Sequence, residues 1–284
     1  MKVMVLGVTG MLGNAMFRVL SERADLVVYG TARSNSARQY FSNNLSAQII
    51  VGTDVENNDS LIRVFAAVRP DAVVNCVGLV KQLAEANDPL QAIPINSLLP
   101  HRLAELCQVT GARLVHISTD CVFSGTKGKY LETDLPDAYD LYGRSKLLGE
   151  LDYPHTITLR TSMIGHELSG HHSLVNWFLD QQGPVKGFTR AIFSGLPTVE
   201  LANVVRDIVL PHTELHGLYH VSAKPISKFD LLQMLAHAYE KDIEINPSEE
   251  VIIDRSLNSD RFKEATGYTP PEWPMLIQRM CEFK

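Results

Sequence analysis

Cysteine is scarce in this chain: four residues (76, 107, 121 and 281) in 284, widely spaced, with no CxxC pair. That spacing argues against a disulfide frame or a zinc site and suits reduced thiols in a cytosol. Basic runs are also missing. No five Lys or Arg stand together, and 32 acidic residues outnumber 26 basic ones for a net charge of −6. A surface that tracks nucleic-acid phosphates is therefore not expected. No apolar stretch reaches the roughly 18 residues a membrane helix needs. Residues 3–12 are apolar enough to resemble a signal-peptide core. Glycines at 7, 10 and 13, and the lack of a small-residue cleavage site, speak against that. Low-complexity segments and internal repeats are absent. With 45% hydrophobic and 20% charged residues, the chain can bury a large core, which excludes disorder as its main state.

What is there reads strand, helix, strand, helix. Short apolar runs predict strands at residues 2–6, 25–29, 48–51, 72–76, 113–117 and 156–160. Met11, Leu12, Ala15, Met16, Val19 and Leu20 recur at helical spacing, and helices are predicted at 61–68 and 98–109, the latter stopped by Gly111. Six alternating strands imply a doubly wound parallel sheet with helices on both faces, a Rossmann-type α/β fold. After residue 161 the rhythm loosens. Helices are predicted at 174–182, 200–209 and 229–239, the third with Ser227 and Asp230 at capping-box spacing. Short strands fit 218–221 and 250–253, and prolines at 270, 271 and 274 mark an irregular tail. The expected division is a dinucleotide-binding domain at 1–162 and a smaller substrate-binding domain at 163–284, partly interleaved with it.

Three segments carry chemistry. Gly7-Val8-Thr9-Gly10-Met11-Leu12-Gly13 lies between the first strand and first helix. Glycine there lets backbone N–H groups approach a pyrophosphate at a helix N-terminus. A tight turn without a ligand would use the same glycines. After the second strand, where an NAD site places an acid for the ribose 2′-OH, the chain reads Thr31-Ala32-Arg33-Ser34. A guanidinium with nearby hydroxyls suits a 2′-phosphate, so NADP(H) is expected over NAD(H). Asp54-Val55 follows the third strand and could hold adenine, or simply form a loop. The second segment is Tyr142-Gly143-Arg144-Ser145-Lys146. Tyr and Lys at i and i+4 share a helix face, and an ammonium there favours phenolate, so a lowered tyrosine pKa is expected. Ser118-Thr119-Asp120, at the carboxyl end of the fifth strand, is the third: a hydroxyl there can hydrogen-bond a substrate oxygen.

Together these segments resemble the extended short-chain dehydrogenase/reductase superfamily, and within it the dTDP-4-dehydrorhamnose reductase family. The likeness runs over nearly the whole chain. It includes Gly7–Gly13, Asn75-Cys76-Val77-Gly78, the run 117–125, Tyr142–Lys146, Leu159-Arg160-Thr161-Ser162, Gly195-Leu196-Pro197-Thr198 and the run 217–222. The resemblance implies Thr119, Tyr142 and Lys146 as a catalytic triad, with Tyr142 and Lys146 also at the cofactor. It implies cofactor contacts from Gly7, Thr9, Gly10, Met11, Leu12, Gly13, Arg33, Asp54, Val55, Cys76, Val77 and Gly78. Asp120, Cys121 and Met163 would face the substrate. The implied activity is NADPH-dependent reduction of a nucleotide-diphospho-4-keto-6-deoxy sugar for surface polysaccharide precursors, in the cytoplasm, by a protein whose relatives are often homodimers.

Position 121 narrows the chemistry. Sugar-nucleotide 4,6-dehydratases resemble this stretch but carry a glutamate base where this chain has Cys121, so dehydration is not expected. The reductase family usually has an aromatic residue at 121 and a tryptophan matching Met163, so the pocket differs. A UDP-linked 2-acetamido sugar stands level with a dTDP-4-keto-6-deoxyhexose. Arg160, Lys186, Arg190 and Lys224 are available for a diphosphate. GDP-fucose synthase has a cysteine equivalent to Cys121 that works with a histidine in epimerisation, and His166, His171 and His172 are candidate partners. Adjacent His171 and His172 point apart on a regular element, so no metal is expected. A third reading is a non-catalytic NADP-binding regulatory subunit.

Overall fold

The structure is a computed structural model that describes residues 1–81 and 84–283. Its centre is a seven-stranded, all-parallel sheet. The first six strands are β1 (Lys2–Leu6), β2 (Val27–Ala32), β3 (Ile49–Val51), β4 (Ala72–Asn75), β5 (Arg113–Thr119) and β6 (Thr156–Thr161). Spatial order is β3-β2-β1-β4-β5-β6, and a seventh strand, Gly217–His220, adds beside β6. β1 reads KVMVL with its last four residues buried, as a strand covered on both faces should. Chain order reverses between β1 and β4. The crevice at the carboxyl ends of these strands is where open α/β sheets bind ligands.

Boundaries differ from the sequence reading where local chemistry misleads. The second strand starts at Val27 rather than residue 25, because Asp25 pairs with Arg23 in the preceding turn. It also continues through Gly30-Thr31-Ala32. Gly30 is required there, since a Cβ would stand 2.6 Å from Val8 Cγ1 and 3.2 Å from Phe17. The helix predicted at 98–109 spans Leu99–Thr110 and ends on Gly111 at φ +71. It is preceded by helical turns from Pro89, including a π-type stretch Ile93–Leu98 that holds Asn96 inward.

In the second half, the strand expected at 250–253 is only Ile253–Asp254. The tail is not irregular: Trp273–Glu282 is a helix burying Trp273, Leu276, Ile277 and Met280. Pro274 sits in its first turn, where the missing N–H costs nothing. Ser227 caps the helix Lys228–Ala238, its Oγ accepting from Asp230 N at 3.0 Å. Helix Thr198–Val204 packs on α1 (Met11–Leu20), and both contribute to one large core. Leu61, Phe65, Leu103 and Leu114 form a second core on the opposite face of the sheet. Among the described residues, no helix is long and apolar enough to cross a membrane.

Candidate active site

The glycine turn is built by close approach. Gly7 adopts φ +82, and a Cβ on it would stand 2.9 Å from Val77 Cγ2. A Cβ on Gly13 would overlap Gly7 O at 2.0 Å, so α1 presses directly on the turn. Gly10 N donates to Gly7 O at 3.1 Å. Gly10 is the N-cap of α1 and brings no side-chain cap, and the first turn holds no acid. Thr9 and Gly10 are exposed, Met11 half-buried, while the Leu12 side chain lies in the core. Leu12 can therefore offer a cofactor only its backbone N–H. Uncapped amides at a helix N-terminus, with no Cβ in the way, fit a pyrophosphate.

Around that turn, the candidate ribose and adenine contacts separate. Arg33 is exposed just beyond β2, and no acid stands at that strand end. Thr31 plays a different part. Its hydroxyl is buried and accepts from Gly7 N at 3.3 Å, holding the turn in place. Ser34 caps the turn that follows, accepting from Ser36 N. Asp54 is exposed and its Oδ1 accepts from Glu56 N at 3.0 Å, an Asx turn of the loop. Val55 and Val77 pack against the same apolar cluster, with Tyr29 and Ile50 beside them.

β5 and the helix Leu141–Leu148 bring the other predicted residues together. Asp140 caps that helix, its Oδ1 accepting from Gly143 N at 2.8 Å, while Oδ2 holds Lys81 Nζ at 2.7 Å. A Cβ on Gly143 would stand 2.3 Å from Cys121 O. Glycine there lets the helix close onto the 119–121 segment. Thr119 Oγ1 accepts from Cys121 N at 3.1 Å, donates to Asp120 Oδ1 at 3.3 Å, and neighbours the Tyr142 phenol. Lys146 is 5% exposed and donates to Ile117 O at 2.8 Å. A Cβ on Gly78 would stand 3.4 Å from Asn96 Oδ1 and 3.9 Å from Lys146 Nζ, so the segment 76–78 faces the lysine.

The electrostatics reverse one expectation. Burial pushes the Tyr142 phenol above its usual range, the nearby Cys121, Asp120 and Asp140 push it further, and the neighbouring Thr119 hydroxyl pulls it down. Lys146 Nζ points to the Ile117 carbonyl. The phenol thus holds its proton at neutral pH, as a proton donor must. Burial lowers Lys146 to about 8, opposed by Glu150 and Cys76. Burial raises the Asp120 carboxyl, and it pushes the Cys121 thiol up to about 12, with Asp120 adding to it.

One supporting residue, Asn96, carried no sequence signal. Asn96 accepts from Leu79 N at 2.9 Å and donates to Ser145 Oγ at 3.2 Å, tying the 78–79 segment to the helix of Tyr142. Asn75 Nδ2 donates to His116 Nδ1 at 3.2 Å, and burial with Lys146 nearby keeps that imidazole neutral. Arg160, a diphosphate candidate by sequence, is 3% exposed and bidentate to Glu150 at 2.7 and 2.6 Å. Glu150 also accepts from Ser118 Oγ at 2.6 Å, and Arg160 meets His220 at 3.3 Å. Arg160 is thus committed inside the fold. Lys186, Arg190 and Lys224 are exposed and paired with Glu250, Glu249 and Glu272. Met163, half-buried, packs against the main core from the short strand Met163–Ile164. None of the candidate histidines reaches Cys121: His166 bonds Tyr239 OH, His171 pairs with Asp180, and His172 is exposed. Arg255 does, its Nη1 lying 3.9 Å from Cys121 Sγ.

The parallel sheet, its glycine turn and the Thr–Tyr–Lys cluster define an extended short-chain dehydrogenase/reductase. A family model described as RmlD substrate binding domain matches residues 1–282, and the chain belongs to that family. The chain is similar to dTDP-4-dehydrorhamnose reductase of Aggregatibacter actinomycetemcomitans, 24% identical over 81% of this chain and 87% of that one. It is also similar to methionine adenosyltransferase 2 subunit beta of Danio rerio, 27% identical over 84% of this chain and 74% of that one. Among solved structures, the NADP complex of dTDP-4-dehydrorhamnose reductase from Bacillus anthracis superposes with a TM-score of 0.80. That match covers 100% of this chain and 99% of the other at 22% identity, a likeness of fold.

Proposed function

We propose that this chain is an NADPH-dependent reductase of a nucleotide-diphospho-4-keto-6-deoxy sugar. The observation that carries the reading is the meeting of Thr119, Tyr142 and Lys146 beside the segment 76–78, next to a glycine turn fit for a pyrophosphate. The family match and the reductase relatives support it. The uncapped turn of α1 binds the pyrophosphate, and Arg33 binds the ribose 2′-phosphate. Bound there, NADPH supplies a hydride. Tyr142, a protonated phenol, hydrogen-bonds the sugar O4 and gives it a proton. Thr119 holds the same oxygen and aligns the phenol. Lys146 fixes the ribose on the nicotinamide side. Residues 163–284 cover the sugar, with Asp120, Cys121 and Met163 among its contacts. A dTDP-4-keto-6-deoxyhexose and a UDP-linked 2-acetamido-4-keto-6-deoxyhexose are the leading substrates, and the product would serve surface polysaccharide assembly.

Mixing the protein with NADPH and each sugar, and following loss of the NADPH absorbance, tests this. Turnover by the wild type and its near-absence in Tyr142→Phe is the expected result. No turnover with any such sugar, with both proteins alike, would sink the reading. A regulatory subunit is the second reading, favoured by the resemblance to the beta subunit of a methionine adenosyltransferase. Stable co-purification with another enzyme, without activity of its own, would support it. Epimerisation through Cys121 is the weakest: burial and Asp120 hold the thiol protonated, and none of the candidate histidines reaches it.

A further inference from the structure

Glu150 stands just past the helix Leu141–Leu148, where the chain still turns, its N donating to Leu147 O at 3.1 Å. It follows Lys146 by four residues, and the two side chains reach neighbouring residues of β5. Lys146 Nζ donates to Ile117 O at 2.8 Å, and Glu150 Oε1 accepts from Ser118 Oγ at 2.6 Å. Ser118 precedes Thr119, so this carboxylate is tied to the strand end that carries the Thr119 hydroxyl.

Arg160, near the end of β6, grips the carboxylate from a second side, through Nε at 2.7 Å and Nη2 at 2.6 Å. Side-chain exposure is 11% for Glu150 and 4% for Arg160. His220 lies 3.3 Å from Arg160 Nη1, and burial with that guanidinium lowers the imidazole to about 4, so it stays neutral. A buried ion pair adds little net stability over apolar side chains of the same size. What this one does add is a carboxylate fixed from two strands beside a buried amine.

Burial disfavours the ammonium form of Lys146, and Glu150 opposes burial. Other titratable groups around the amine are Cys76, His116 and Tyr142. Burial keeps Cys76 and Tyr142 protonated and His116 neutral, so none supplies a counter-charge near neutrality. Asp120 and Cys121, on the turn packed against the helix, act on the Tyr142 phenol. Asp140 pairs with Lys81 at the helix start, and Glu85 is exposed. A neutral amine would have one donor fewer and no charge to offer the ribose hydroxyls.

We propose that Glu150 is a positioning residue: clamped by Arg160 and Ser118, its carboxylate holds Lys146 as an ammonium, the form that grips the nicotinamide ribose. The inference rests on the role given to Lys146 in the reductase reading and adds to it the group that sustains that role.

NADPH affinity, followed by fluorescence titration from neutral to alkaline pH, tests the assignment. The wild type should lose affinity as pH rises through about 8. Glu150→Gln should move that limb down by about half a unit to one unit, as loss of a nearby opposite charge requires. Glu150→Asp should restore most of it. Because Glu150→Gln strands the Arg160 guanidinium, the double variant Glu150→Gln with Arg160→Gln serves if the single one unfolds. It removes both charges and should show the same downward shift. A lowered Tm with the limb in place overturns the proposal, marking a structural role. A wild type whose NADPH affinity does not fall near that pH overturns it as well. Should the reductase reading itself fail, the wild type oxidises no NADPH with any 4-keto sugar, while the binding profile stays readable.

Discussion

The two sides of the cleft are built differently. The glycine turn and Arg33 occupy the first 33 residues, and contiguous backbone does most of the work there. The wall around Tyr142 is assembled from distant segments: 119–123, the helix at Leu141–Leu148 and Arg255. A site made from one short segment is set by local rules of glycine and helix termini. A site made by long-range packing can be retuned by single side chains, such as Cys121.

The largest contrast should come from the proton donor. Tyr142→Phe should lower kcat about a hundredfold to ten-thousandfold while NADPH affinity holds, the range general acids supply. An equal drop in NADPH affinity would mean the phenol belongs to the cofactor side. Next, Arg33→Ala should weaken NADPH about tenfold to a hundredfold and leave NADH nearly unchanged, as loss of a charged hydrogen bond to the 2′-phosphate requires. Equal loss for both coenzymes would remove Arg33 from that role. Gly13→Ala comes third. Its Cβ would overlap Gly7 O, so overpacking should cost about 1–3 kcal/mol and lower Tm, with NADPH binding weakened as the turn moves.

A smaller and more diagnostic effect concerns pH. Lys146 sits at about 8, below its ordinary value, so its charge is lost as pH rises through that point. Reduction should therefore fall off above about pH 8, and Lys146→Arg should push that limb upward if it retains activity, because arginine keeps its proton. A limb that stays in place would belong to another group. The least effect is expected from Cys121→Ser. C4 reduction should change by less than about tenfold, because serine is nearly isosteric with cysteine and the proton donor Tyr142 is untouched. Solvent deuterium should appear at neither C3 nor C5, and label at either carbon would restore the epimerase reading.

Much of the sheet is legible in the sequence because strands buried on both faces leave continuous apolar runs, as in β1 and β4. Residues 119, 142 and 146 are readable because motif spacing survives without contacts. The proximity of Arg255 is not, since 134 residues separate it from Cys121 and no local pattern encodes that meeting. Arg160 misleads for the opposite reason: its partner Glu150 lies on a separate turn, so the sequence displays a charge and hides its burial. The direction of the tyrosine pKa is lost because helical spacing does not report burial, the largest influence on the phenol.

The central claim is that the Tyr142 phenol protonates the sugar O4 as a hydride reaches C4. The direct measurement is a reaction with NADPH deuterated at the transferable position and a dTDP- or UDP-linked 4-keto-6-deoxy sugar, with the product read by mass spectrometry. The account predicts one deuterium at sugar C4 with the wild type and almost none with Tyr142→Phe over the same time. Equal labelling by both proteins, or no labelling of any such sugar, would contradict it.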